Sequence, residues 1–122
     1  MEKIEKYKKA LVKIRENTSL KKEELYADSK YDESKFEKIK ENVIDIYLRM
    51  INVTIKQSNQ NVDKFIELYP KFFEKIPKNW KTSLDEAKKN NDFENVFIEE
   101  IKIETMEKIK RVFENSLGLN NE

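Results

Sequence analysis

Apolar side chains are densest over residues 42–55, NVIDIYLRMINVTI, in a chain that is otherwise heavily charged. Wound at about 100° per residue, Val43, Ile46, Tyr47, Met50 and Val53 fall in one stripe, and Ile44, Leu48, Ile51 and Ile55 in a second beside it. Asp45, Arg49, Asn52 and Lys56 share the remaining polar strip. A helix that is apolar over more than half its circumference needs at least two neighbours, so this segment predicts the central helix of a small bundle.

The same periodicity places the other elements. Ile4, Tyr7, Leu11 and Ile14 recur at helical spacing and predict a first helix over residues 2–16. The pattern then weakens through Asn17, Thr18 and Ser19, all good N-cap residues, so a separate short helix is expected over residues 20–28. Phe36 and Ile39 lead into the Val43, Ile46, Met50, Val53 stripe and set the central helix at residues 32–57. After the polar break SNQN, Val62, Phe65, Ile66, Tyr69, Phe72, Phe73 and Ile76 share one arc. They predict an antiparallel third helix over residues 61–76, kinked at Pro70, where the Ile66 carbonyl loses its donor.

Pro77 ends that helix, and Ser83 with Glu86 forms a capping-box pair ahead of a short helical turn reaching Lys89. Asp92 caps the last helix, residues 92–117, which Gly118 closes as the C′ residue. Its apolar band has two flanks, Phe93, Val96 and Phe97 on one side and Met106, Phe113 and Leu117 on the other. Either this helix breaks near Ile103, or it meets different neighbours along its length. The expected fold is all-α: one domain over residues 1–122, a four-helix bundle with one or two additional short helices in the connections. Leu11, Ile14, Val43, Ile46, Met50, Phe65, Tyr69, Phe72, Ile101, Ile109 and Val112 are its expected core.

Composition agrees with this class, since one glycine and two prolines leave little turn chemistry for a many-stranded sheet. The 25 basic and 24 acidic residues give a net charge of +1, and hence no global field to gather nucleic acid or anionic membrane. Residues 1–81 carry a surplus of base and residues 82–122 a surplus of acid, so the expected molecule is a mild dipole. The first residues, MEKIEKYKKA, lack the apolar stretch of a signal peptide, and no apolar run is long enough to span a membrane. Absent cysteine fits a reducing compartment, so a soluble cytoplasmic protein without membrane contact is expected. Abundant lysine, asparagine and isoleucine beside scarce alanine suggest AT-rich coding, as in a low-GC bacterium or its phages and plasmids.

Histidine and cysteine are both missing, which removes the Ser-His and Cys-His arrangements and histidine metal centres, and the lone glycine excludes a GxxxxGK phosphate loop. No catalytic residue, cofactor or metal is expected. The carboxylates Glu100, Glu104 and Glu107 share one strip of the last helix, yet the Glu-x-x-His ligands of a di-iron bundle are absent. That strip reads as a solvated face, with Glu104 and Glu107 paired to Lys108 and Arg111.

The stronger candidate is YPKFFEKIPKNWK. Lys64, Lys71 and Lys75 lie on one side of the third helix, and Lys78, Trp80 and Lys81 follow in the connection. A protein partner would use Trp80 as a buried anchor; nucleic acid would use the lysines for phosphate and the indole for stacking. With arginine restricted to Arg15, Arg49 and Arg111, base-specific reading of DNA is disfavoured. The leading expectation is a non-catalytic protein-binding module, such as a small inhibitor, immunity or antitoxin-type accessory protein of a mobile element. The alternative is non-specific nucleic-acid binding through the lysine ridge. Homodimerisation is expected if one flank of the last helix finds no neighbour within the chain.

Overall fold

A computed structural model describes residues 1–119. Two long helices, α1 (Glu2–Ala27) and α2 (Tyr31–Gln57), run antiparallel as a hairpin. Lys8 donates to Asn52 Oδ1 at 3.2 Å, Arg15 to Asp45 at 2.6 Å, and the Lys22 carbonyl accepts from Ser34 Oγ at 2.9 Å. After α3 (Val62–Leu68), a 3₁₀ turn (Tyr69–Lys71) and the short α4 (Phe72–Lys75), helix α5 (Lys78–Lys89) turns back as α6 (Phe93–Ser116). α6 packs against α5, α2 and α1, completing the all-α bundle that the periodicity predicts. Among the described residues there is no strand.

The reversals explain how so short a chain makes long helices with one glycine. α1, α2, α5 and α6 each end in a residue at positive φ: Ser29 at 63°, Asn59 at 51°, Asn91 at 54° and Gly118 at 67°. Behind each, the next N–H reaches back to the carbonyl five residues earlier: Lys30 to Leu25, Gln60 to Ile55, Asp92 to Ala87 and Leu119 to Glu114. These bonds satisfy carbonyls that a helix end otherwise orphans. Serine and asparagine do at three ends what glycine does at the fourth.

Several boundaries differ from expectation. α1 does not stop at Glu16 but continues to Ala27, absorbing the separate helix expected over residues 20–28. The N-cap candidates have other partners: Thr18 Oγ1 donates to the Ile14 carbonyl at 2.8 Å, and Ser19 hydrogen-bonds Glu41. Packing along α2 thus overrides local capping propensity. Around Pro70 the third segment tightens into a 3₁₀ turn instead of remaining one kinked α-helix, which is how the winding accommodates the missing N–H. α5 begins at Lys78, not at the Ser83 capping box, because Trp80, Leu84 and Ala87 line one helical face and Pro77 is tolerated at a helix start. Asp92 caps α6 as expected, accepting from the Asn95 N–H at 3.3 Å, and α6 runs unbroken through Ile103.

The core is aromatic. Tyr69 sits at its centre, stacked on Phe65 at 5.1 Å and edge-on to Tyr7 and Phe73, both at 5.5 Å. Phe113 from α6 lies 5.2 Å from both Tyr7 and Tyr69, and Tyr47 stacks on Phe73 at 5.1 Å. Leu11, Val43, Phe65, Tyr69, Ile101 and Ile109 are buried as expected. Ile14, Ile46, Met50, Phe72 and Val112 are only partly buried. Their places are taken by Ile4, Tyr7, Ile44, Tyr47, Ile51, Phe73, Met106, Phe113 and Leu117. On α2 the reason is phase: the buried stripe runs Ser34, Glu37, Glu41, Ile44, Tyr47, Ile51, Thr54, so polar residues continue the buried face at both ends. An apolar count alone favours the neighbouring stripe.

Candidate functional site

The lysine candidates spread over four consecutive elements. Lys64 lies in the first turn of α3 and pairs with Glu67 at 3.6 Å. Lys71 ends the 3₁₀ turn, Lys75 closes α4, and Lys78 and Lys81 sit on α5; all five ammonium-bearing residues are exposed. Lys71, Lys75, Lys78 and Lys81 form no ion pair with described residues. Trp80 belongs to α5, not to a loop, and packs partly buried against the core. Part of the indole surface is therefore occupied.

The carboxylate strip of α6 is exposed at Glu100, Glu104 and Glu107. The pairs expected with Lys108 and Arg111 do not form, and among the described residues no cluster of acidic side chains is arranged to hold a metal ion. No helix is long and apolar enough to cross a membrane.

Between α1 and α2 the polar stripe builds an ion network that the sequence reading missed. The Glu41 side chain is 3 % exposed and meets Lys22 at 3.2 Å, Lys38 at 3.0 Å and Arg15 at 3.9 Å. Burial by itself would raise its carboxyl, but the hydrogen bonds from Lys38, Lys22 and Ser19 outweigh it and hold the group at about 2. Glu37, also buried, pairs with Lys40 at 2.7 Å. The network is structural: it seals the seam of the hairpin beside Arg15 and Asp45.

At the tip of that hairpin lies the most distinctive surface. Tyr26 and Tyr31 flank the Ser29 turn, their rings 4.9 Å apart and edge-on, yet both are more than half exposed. With Ala27 they floor a groove of about 490 Å³, ringed by Lys22, Lys35 and Lys38 with Glu23. Lys35 leads onward to α6, pairing with Glu94 at 3.2 Å. There Phe97 rests on Phe36 at 4.8 Å, while Phe93 is 77 % exposed and Phe97 53 %. Five aromatic rings thus gather at the end of the bundle where α1 and α5 finish and α2 and α6 begin.

The signal for this end was present in the sequence as Tyr26, Tyr31, Phe93 and Phe97, apolar residues off the phase of their helices' buried faces. No protein-family model, curated protein or solved structure matches the chain.

Proposed function

We propose that this chain is a non-catalytic protein-binding module of the small inhibitor, immunity or antitoxin type, acting in the cytoplasm. It docks a partner segment in the Tyr26–Tyr31 groove. The observation that carries this reading is the groove itself: two exposed tyrosines that with Ala27 form an apolar floor, with three lysines on the rim. Tyrosine offers a large, stiff contact surface at low entropic cost, which suits an interface anchor. The rim lysines already pair within the chain, Lys22 and Lys38 with Glu41 and Lys35 with Glu94, so the exposed rings carry the contact and favour a segment that brings an apolar side chain to them. The absence of histidine and cysteine supports a binding role over catalysis.

Affinity capture from the native host, with mass spectrometry, tests the reading. A specific protein retained by the wild type and lost with Tyr26→Ala/Tyr31→Ala supports it. Retention of nothing specific, or of a protein indifferent to both substitutions, overturns it. The nucleic-acid alternative draws on the four unpaired lysines, but Trp80 is packed on the core and is a poor stacking platform. It requires DNA or RNA retardation at low salt that weakens steeply as salt rises and is lost with Lys71→Glu/Lys75→Glu.

A further inference from the structure

We propose that α5 is a hinged flap: it lifts off α6 as a unit and uncovers the Glu99 carboxylate, while the core built by α1, α2 and α6 stays closed. This part of the molecule is separate from the tyrosine groove and independent of what binds there.

The other long helices are tied together by polar contacts. Arg15 pairs with Asp45 and Lys22 with Glu41 across α1 and α2, Lys35 pairs with Glu94 across α2 and α6, and Tyr69 bonds to Tyr7 and Tyr47. α5 has no such tie. Among the described residues its one side-chain hydrogen bond, from Thr82 to the Lys78 carbonyl, is internal, and no ion pair or ring contact joins it to another element. It docks on α6, its main neighbour, through Trp80, Leu84 and Ala87, and every other residue of Lys78–Lys89 is exposed. A helix of this length is marginal by itself in water, so α5 unwinds once it is undocked.

Both ends of α5 are joints. Residues 76–77 separate it from α4 and residues 90–92 from α6, with Asn91 already at a φ of 54°. Short non-helical junctions of this kind absorb the change in backbone angles that a hinge needs.

What α5 covers makes its closure costly. Ile101, Thr105 and Lys108 of α6 share a cleft with Ile14 of α1 and Ile44 of α2, and Phe97 meets Phe36, so that side of α6 faces the hairpin. α4 reaches α6 lower down, where Phe73 meets Phe113. Val96, Glu99 and Ile103 lie on the opposite side, partly buried, where α5 is the neighbour left to cover them. The Glu99 side chain is 12 % exposed; Oε1 accepts from Lys102 at 3.1 Å, but Oε2 is buried with no hydrogen-bond partner among the described residues. A carboxylate oxygen taken from water without a replacement bond is unfavourable, so lifting α5 regains hydration that offsets part of the lost apolar contact.

Native-state hydrogen exchange of the full chain, followed amide by amide in subdenaturing urea, tests the flap. Amides of residues 82–89 should share one opening equilibrium and exchange about 100-fold or more faster than the middle of α2, with a weak urea dependence. Tyr7→Phe should quicken exchange in α2 about fivefold and leave α5 unchanged, because the Tyr7 contacts persist when α5 is open. Glu99→Met should slow exchange in α5 about 10-fold. Exchange of α5 at the rate and urea dependence of α2, or quickened equally by Tyr7→Phe, overturns the flap, since α5 would then open only with the whole fold. Exchange graded inward from the ends of α5, or indifferent to Glu99→Met, overturns it as well.

Discussion

The hydroxyls of Tyr7 on α1 and Tyr69 in the 3₁₀ turn lie 2.7 Å apart inside the core, and Tyr69 also donates to the Tyr47 carbonyl at 3.0 Å. A phenol has one proton to give, so Tyr69 spends it on α2 and Tyr7 donates to Tyr69. Tyr47 in turn donates to the Phe72 carbonyl at 3.1 Å. One relay thereby fastens the Pro70 segment to both helices of the hairpin.

The relay is directional, and so are its mutational costs. Tyr7→Phe removes one donor and leaves Tyr69 bonded, costing about 1 kcal/mol. Tyr69→Phe strands the buried Tyr7 hydroxyl as well, for about 2–4 kcal/mol. The double variant should be less destabilised than the sum, because the stranded group is gone. Urea denaturation of the four proteins measures this; additive values would contradict the hydrogen bond, and equal costs for the two single variants would contradict the assigned direction.

Alkaline pH should unfold the protein through the same residues. Burial pushes the Tyr7, Tyr47 and Tyr69 phenols well above their ordinary value of 10.0. A folded-state value above the unfolded one means stability is fully present below about pH 10 and is lost as the pH rises beyond it, by about 1.4 kcal/mol per pH unit for each phenol. Phenolate absorbance from these three residues should appear together with loss of helical circular dichroism. Ionisation of all three in a protein that stays helical would contradict it.

Acid acts on Glu41. Its carboxyl falls from 4.5 to about 2 in the fold, so its contribution, about 1–3 kcal/mol once the exposure of Lys38 is allowed for, is present above pH 4.5 and lost as the pH drops toward 2. Glu41→Gln should lower stability at neutral pH and flatten the acid limb of a stability–pH curve. An unchanged acid limb would show that other carboxylates govern it.

The helix ends offer stabilisation. Ser29 and Asn91 hold a left-handed backbone that glycine adopts without strain, so Ser29→Gly should add about 0.5–1 kcal/mol, and Asn91→Gly somewhat less. Gly118→Ala should cost about 1 kcal/mol. The added methyl would meet nothing nearer than Lys3 Nζ at 4.0 Å, so that cost is conformational and not steric. Thermal denaturation distinguishes the three.

What the sequence disclosed and what it hid follow from the kind of information each feature needs. Fold class, the Asp92 cap and the Gly118 end are local, and hydrophobic periodicity and cap chemistry suffice for them. The extension of α1 past Thr18, the phase of α2 and the start of α5 depend on partners distant in the chain. Glu37 and Glu41 look like solvent-facing residues until Lys22, Lys38 and Lys40 close over them. The lysine ridge was legible as composition, but only packing shows that Trp80 leans on the core. The Phe93–Phe97 flank of the last helix was legible as a second apolar side, but that it stays largely exposed, and that Tyr26 and Tyr31 meet beside it, depends on packing.

Three-residue reversals at Ser29 and Asn91 also bear on how the chain assembles in time. The α1–α2 and α5–α6 hairpins join sequence neighbours, so each can close quickly and early at small entropic cost. The ring contact between Tyr7 and Phe113 joins opposite ends of the chain at 5.2 Å. Closing so long a loop costs the most chain entropy, so this contact is expected to form last. Turn substitutions should therefore act on how often the hairpins form, whereas truncation of Phe113 should act on whether they stay together.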